Sequence, residues 1–135
     1  MRIAVVSMPR ERRGIPEYVK ALARGMESMG HRVDLVDAWT EDGMRLPGYE
    51  YIIVAAESIS FFSGKIPEPL SKVLAGGSSL VGKKSAAFVK KGSFFMGRTL
   101  SNLMRAMEKE GMMINWSDIL LNPAHAEAMG KRVGA

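Results

Sequence analysis

Apolar positions along the chain follow two alternating rhythms. Residues 2–7, RIAVVS, form a β-branched run of strand length. Ile15, Tyr18, Val19, Leu22, Ala23, Met26 and Met29 then recur at helical spacing as one stripe. Pro16 suits the first turn of that helix, where a missing N–H costs nothing, and Gly30 is placed to end it. HRVDLVD (31–37) alternates polar and apolar residues, as a half-exposed edge strand does. After the polar loop AWTEDGMRLPG, YIIVAA (51–56) is continuously apolar, the pattern of a central strand covered on both faces.

The long irregular stretch ESISFFSGK leads to a short helix beginning near Pro67, striped by Leu70, Val73 and Leu74. AGGSS breaks the chain, KSAAFVK (84–90) reads as a fourth strand, and KGSFFMG as a loop. Leu100, Leu103, Met104 and Met107 mark a third helix, MMINWSDILL contains a fifth strand, and PAHAEAMGKRV holds a short closing helix. Strand and helix thus alternate throughout. Such βαβ units, joined by right-handed crossovers, build a parallel doubly wound sheet. Five strands with the amphipathic second one at an edge give order 2-1-3-4-5, an α/β three-layer sandwich with helices on both faces.

No repeat, low-complexity tract or linker interrupts the pattern, so residues 1–135 are expected to form one domain. At 47% hydrophobic and 24% charged residues the composition is that of a globular protein and not a disordered one. The absence of cysteine excludes a disulfide framework, a thiolate metal site and a cysteine nucleophile. The N-terminal apolar run is too short for a signal peptide or membrane span, which points to a cytoplasmic protein with no membrane partner. The net charge of +5 favours anionic partners. The cations are scattered over PRERR, GKK and KKG without interleaved aromatics, which argues against specific nucleic-acid binding.

In a doubly wound sheet, ligands bind beyond the C-terminal strand ends where the winding reverses. Here that edge is built from SMPRERRG, ESISFFSGK and KGSFFMG. The first loop offers Ser7, Arg10, Arg12, Arg13 and Gly14 in front of a helix N-terminus, where guanidinium groups and the helix dipole suit a phosphate. The competing reading is a solvated basic loop. The other two loops supply small and aromatic contacts: Ser58, Phe61, Phe62 and Gly64, then Gly92, Ser93, Phe94 and Phe95. Together they suit an aromatic phosphate ester, although each Phe could instead cover the end of the sheet. Glu57, at the end of the third strand, either meets a ligand or, more in keeping with its type, is solvated or salt-bridged. His31 and His125 have no second ligand at metal spacing and read as structural, and the methionines read as core filler. No Walker loop, nucleophile elbow, Gly-x-Gly-x-x-Gly or acid–base pair is present, so no catalytic residue is assigned.

SFFSGKIPEPLSKVL resembles the aromatic–Gly–hydrophobic–Pro–x–Pro–Leu passage of the flavodoxin-like superfamily, in particular flavodoxins and NAD(P)H-dependent FMN reductases. GKKSAAFVKKGSF is similar to that family's fourth strand and following flavin loop. The resemblance spans nearly the whole chain and implies FMN as cofactor, with the phosphate on the first loop and the isoalloxazine between the other two. It also implies electron transfer or NAD(P)H-dependent reduction, a redox partner protein and a possible homo-oligomer. The first loop departs from the family: Ile15 and Pro16 stand where a polar residue and a hydroxyl are usual. That departure, with the basic charge, keeps open an alternative, a flavin-free module of the same fold that binds or scaffolds.

Overall fold

The computed structural model describes residues 1–60, 63–76, 80–92 and 95–134. Its elements run β1 (Arg2–Met8), α1 (Glu17–Ser28), β2 (Arg32–Asp37), β3 (Tyr51–Ala56), α2 (Pro69–Gly76), β4 (Lys84–Lys90), α3 (Met96–Lys109), β5 (Met113–Leu120) and α4 (Pro123–Gly130), with a 3₁₀ turn at Leu46–Gly48. The five strands are all parallel, in the order β2-β1-β3-β4-β5. This is the flavodoxin-like topology expected from the apolar pattern. Among the described residues no helix is long and apolar enough to cross a membrane.

Alternation along the strands feeds two cores. Ile3 and Val5 of β1 pack with Ile53 and Ala55 of β3, Phe88 of β4, Tyr18, Val19, Leu22 and Met26 of α1, and Ala126 and Met129 of α4. Ala4, Val6, Ile52, Val54, Ala87 and Val89 face the other way, onto Leu70, Val73 and Leu74 of α2 and Leu103 and Met107 of α3. The continuously apolar β3 is buried along its whole length because both faces are covered. Edge strand β2 keeps Arg32 exposed and only Val36 fully buried.

Two boundaries differ from the sequence expectation. The second helix begins at Pro69 because the chain first makes a turn in which the Leu70 N–H reaches the Pro67 carbonyl. The third begins at Met96, within the stretch expected to be loop, and the N–H and hydroxyl of Thr99 both donate to the Phe95 carbonyl at 2.9 Å. Helices α1 and α4 meet at two glycines, where a Cβ on Gly25 would fall on the Glu127 carbonyl and one on Gly130 on the Leu22 carbonyl. The two histidines serve main-chain contacts. His31 lies between the N-terminal amine and the Val133 carbonyl, and His125 accepts the Leu121 N–H at the start of α4.

Candidate functional site

Adjacent β1 and β3 run in register to Ser7 opposite Ala55 and Met8 opposite Ala56. The ladder continues one step further, where the Glu57 N–H donates to the Met8 carbonyl at 3.0 Å. This fixes Glu57 at the mouth of the sheet. Two residues beyond Ala55, it falls on the α1 side, and it is only 7% exposed.

A carboxylate taken out of water needs donors, and three converge on Glu57. Arg13 donates from Nη2 to Oε2 at 2.6 Å, the Tyr18 hydroxyl donates to the same oxygen at 3.2 Å, and the Arg10 main-chain N–H donates to Oε1 at 3.2 Å. Arg10 also donates from Nε to the Ser58 carbonyl at 3.0 Å. The β1–α1 loop, residues 9–16, is thereby closed onto the β3–α2 loop, residues 57–68. Its near end is held by Trp39, whose indole N–H donates to the Pro9 carbonyl at 3.0 Å. Burial, reinforced by the negative charge of Glu57 and the hydrogen bond to it, pushes the Tyr18 hydroxyl well above its ordinary pKa of 10.0, with Arg13 opposing. Lys90, at the end of β4, lies 5.5 Å over the Tyr18 ring.

These groups wall a cavity of about 340 Å³ at the point where the winding reverses. Arg10 and Arg13 come from the first loop and Glu57 and Ser58 from the second. The end of β4 and its loop bring Lys90, Lys91 and Gly92, and α3 brings Met96 and Thr99. Four cationic side chains face a single carboxylate, so the cavity favours an anion. Beneath the first loop Ser7 is fully buried on the α1 side, in alternation with Ile3 and Val5. Its Oγ has no hydrogen-bond partner among the described residues. An unpaired buried hydroxyl carries a penalty of about 1–3 kcal/mol.

Of the residues expected at a site, Arg10, Arg13, Ser58 and Gly92 therefore line one cavity, whereas Ser7 is buried in β1 and is not among its lining residues. The Ser58 hydroxyl is itself spent on the Ser60 carbonyl, at 2.8 Å. Arg12 and Gly14 are exposed on the loop and do not line the cavity. Gly64 does not line the cavity and joins its loop to α3, its carbonyl taking the Asn102 side-chain N–H at 2.8 Å. Phe61, Phe62, Ser93 and Phe94 lie outside the described residues. Phe95 is not among the lining residues; it is 38% exposed, with the Arg98 guanidinium 5.0 Å from its ring centre.

Four contributors stand outside the expected site residues. Glu57, expected either to meet a ligand or to be solvated or salt-bridged, is buried and salt-bridged. Tyr18 was assigned to the helix stripe, although it is the one stripe member with a polar tip. Lys90 ends the fourth strand and Lys91 opens the loop after it, at the sheet edge that lines the cavity.

No protein-family model matches the sequence, and no curated protein matches it. Solved structures do resemble it. A flavodoxin from the domain Archaea superposes with a TM-score of 0.73 at 19% identity, over 98% of this chain and 96% of that one. Oxidised flavodoxin 1 from Bacillus cereus gives 0.73 at 15% identity, over 96% and 95%. A WrbA-like flavodoxin from Agrobacterium tumefaciens gives 0.64 at 18% identity, over 98% and 94%. At these identities the likeness is one of fold.

Proposed function

On this flavodoxin-like fold we propose that the chain binds FMN at the C-terminal edge of the sheet and serves electron transfer or NAD(P)H-dependent reduction of a small acceptor. The observation that carries the reading is the basic cavity at the winding reversal, lined by Arg10, Arg13, Lys90 and Lys91. That donor set fits a phosphate monoester: guanidinium groups pair its oxygens bidentately, and ammonium groups add charge. Met96 adds an apolar contact to the lining, and the resemblance adds Phe61, Phe62, Phe94 and Phe95 as candidates to stack on the ring. The flavin, when bound, supplies the redox chemistry. The protein's part is to hold the phosphate, orient the ring and set the charge around it. The net charge of +5 suits a redox partner with an acidic face.

One observation favours a second reading, a flavin-free module of the same fold. Arg13 and Arg10 are already engaged by Glu57 and Ser58, so the first loop is closed by the chain's own groups. The deciding experiment is the absorption spectrum of the purified protein, followed by titration with FMN. Flavin absorbance, or quenching of added FMN fluorescence at micromolar concentration, supports the first reading. A colourless protein that takes up no FMN refutes it and leaves the second.

A further inference from the structure

The donors gathered on Glu57 are those an oxyanion would seek. A guanidinium, a main-chain N–H and a hydroxyl converge on the two oxygens of one planar anion, at 2.6, 3.2 and 3.2 Å. Charge-assisted bonds of this kind are how proteins receive phosphate and carboxylate ligands. We propose that the Glu57 carboxylate is a built-in occupant of the anion seat, so that a phosphate monoester binds only by taking Arg13 and the Arg10 N–H away from it. The inference rests on reading the cavity as the phosphate end of the proposed flavin site, and it applies to any phosphate monoester.

Glu57 is not needed to join the two loops. The β1–β3 ladder is held by its main-chain N–H on Met8, and Arg10 grips the Ser58 carbonyl without using the carboxylate. The ion pair is also unequal. The Glu57 side chain is 9% exposed and that of Arg13 is 38% exposed, so Arg13 is the partner that can move. When Arg13 turns to a ligand, Glu57 keeps the Tyr18 hydroxyl as a donor. Lys90 and Lys91 border the same cavity and attract an incoming anion, while the Glu57 charge opposes it. The balance sets a threshold: a singly charged anion gains little over Glu57, whereas a phosphate dianion carries more charge than the group it displaces.

The test uses Glu57→Gln, which keeps the shape and removes the charge. The variant's amide can still accept from Arg13 and Tyr18 through its oxygen. Its NH₂ then faces the Arg10 N–H, which is released to a ligand. Wild type and variant are titrated with FMN, riboflavin and inorganic phosphate by calorimetry and flavin fluorescence, with thermal melts alongside. The variant is expected to bind FMN and phosphate more tightly, on the order of tenfold, because a like charge is gone from a partly buried site. Riboflavin, lacking the phosphate, is expected to be unaffected. Glu57→Asp keeps the charge but draws it back by one methylene. It should tighten phosphate by a smaller factor, and it stands in should the first variant fail to fold.

Equal or weaker phosphate binding by both variants overturns the proposal, as does an equal gain for riboflavin. Phosphate tightening where neither wild type nor variant binds FMN would sink the flavin reading and leave Glu57 as the occupant. FMN bound alike by wild type and variants would do the reverse.

Discussion

Asn102, in the second turn of α3, donates its side-chain amide to the Gly64 carbonyl at 2.8 Å and so fastens that helix to the loop leaving β3. The contact depends on glycine. A Cβ on Gly64 would come within 2.6 Å of Arg98 Cγ and 2.8 Å of Cδ, so the arginine stem lies flat against the bare backbone. Its guanidinium then reaches the Phe95 ring at 5.0 Å. The second loop of the candidate site is thus held by α3, as the first loop holds the second through Arg13 and Glu57. The site is built by contacts within the chain, which lowers the ordering a ligand must impose.

Removing the Asn102 tether is expected to cost about 1 kcal/mol of stability, the usual net worth of one hydrogen bond. It should also weaken FMN while sparing inorganic phosphate, because the tether positions the ring side of the site and not the anion seat. Urea unfolding and ligand titration of Asn102→Ala check this. A stability loss with FMN affinity unchanged would mean that the loop's position does not matter to the flavin.

The glycines give a contrasting set. A methyl on Gly25 or Gly130 meets backbone of the facing helix, which cannot step aside as a side chain can. Either alanine substitution should destabilise by about 3 kcal/mol, at the upper end of overpacking effects, despite the better helix propensity of alanine. Gly97, in the first turn of α3, has open space where its Cβ would stand. Gly97→Ala should instead stabilise by about 0.5 kcal/mol. Urea midpoints of the three variants, with unchanged slopes, decide it.

How much of this was legible in the sequence differs between fold and site. The unbroken apolar run at 51–56 and the alternating one at 31–37 assign a central and an edge strand through burial alone, and β3 and β2 follow them. The start of α3 was not legible because its first turn, Met96 to Thr99, carries no apolar stripe and is set by Thr99 bonding back to Phe95. The location of the site follows from topology, since any 2-1-3-4-5 sheet brings the same three loops together. What the arginines hold does not. Arg13 and Glu57 are 44 positions apart, and no periodicity links two loop residues across that distance. Tyr18 was hidden differently, its ring belonging to the core and only its hydroxyl to the site.

Alkaline pH should loosen the fold through the tyrosines. Tyr18 is raised well above 10.0 by burial first and by Glu57 second, Tyr51 is pushed up to about 12 by burial, and Tyr49 is raised by burial and its bond to Asp34. A raised value means that the folded chain keeps a proton that the unfolded chain releases. The associated stability is therefore complete below the unfolded value of about 10 and is lost as pH climbs towards the folded one. Tyr18→Phe loses the bond to Glu57 but also the titration. The gap in unfolding free energy between wild type and this variant should narrow between about pH 8 and about pH 11. A constant gap would mean that Tyr18 ionises equally in both states.

The final prediction separates charge at the seat from charge in general. Arg13 lines the cavity and Arg12, one residue earlier, is exposed away from it. Each substitution to alanine removes one positive charge, so any long-range attraction of an anionic ligand falls equally in both. If the phosphate of FMN is received by Arg13, Arg13→Ala should weaken FMN by roughly tenfold or more, the value of one hydrogen bond to a charged group. Arg12→Ala should change it by about twofold or less, as an exposed, screened charge does. Arg10→Ala with Arg13→Ala should deepen the loss for FMN while riboflavin falls much less. Raising salt to about 1 M shortens the screening length to about 3 Å, so the difference between wild type and the double variant should shrink. Titrations of the two flavins into these proteins at low and high salt measure all of this. Equal losses for FMN and riboflavin, or equal effects of Arg12 and Arg13, would place the phosphate somewhere other than the seat that Glu57 now fills.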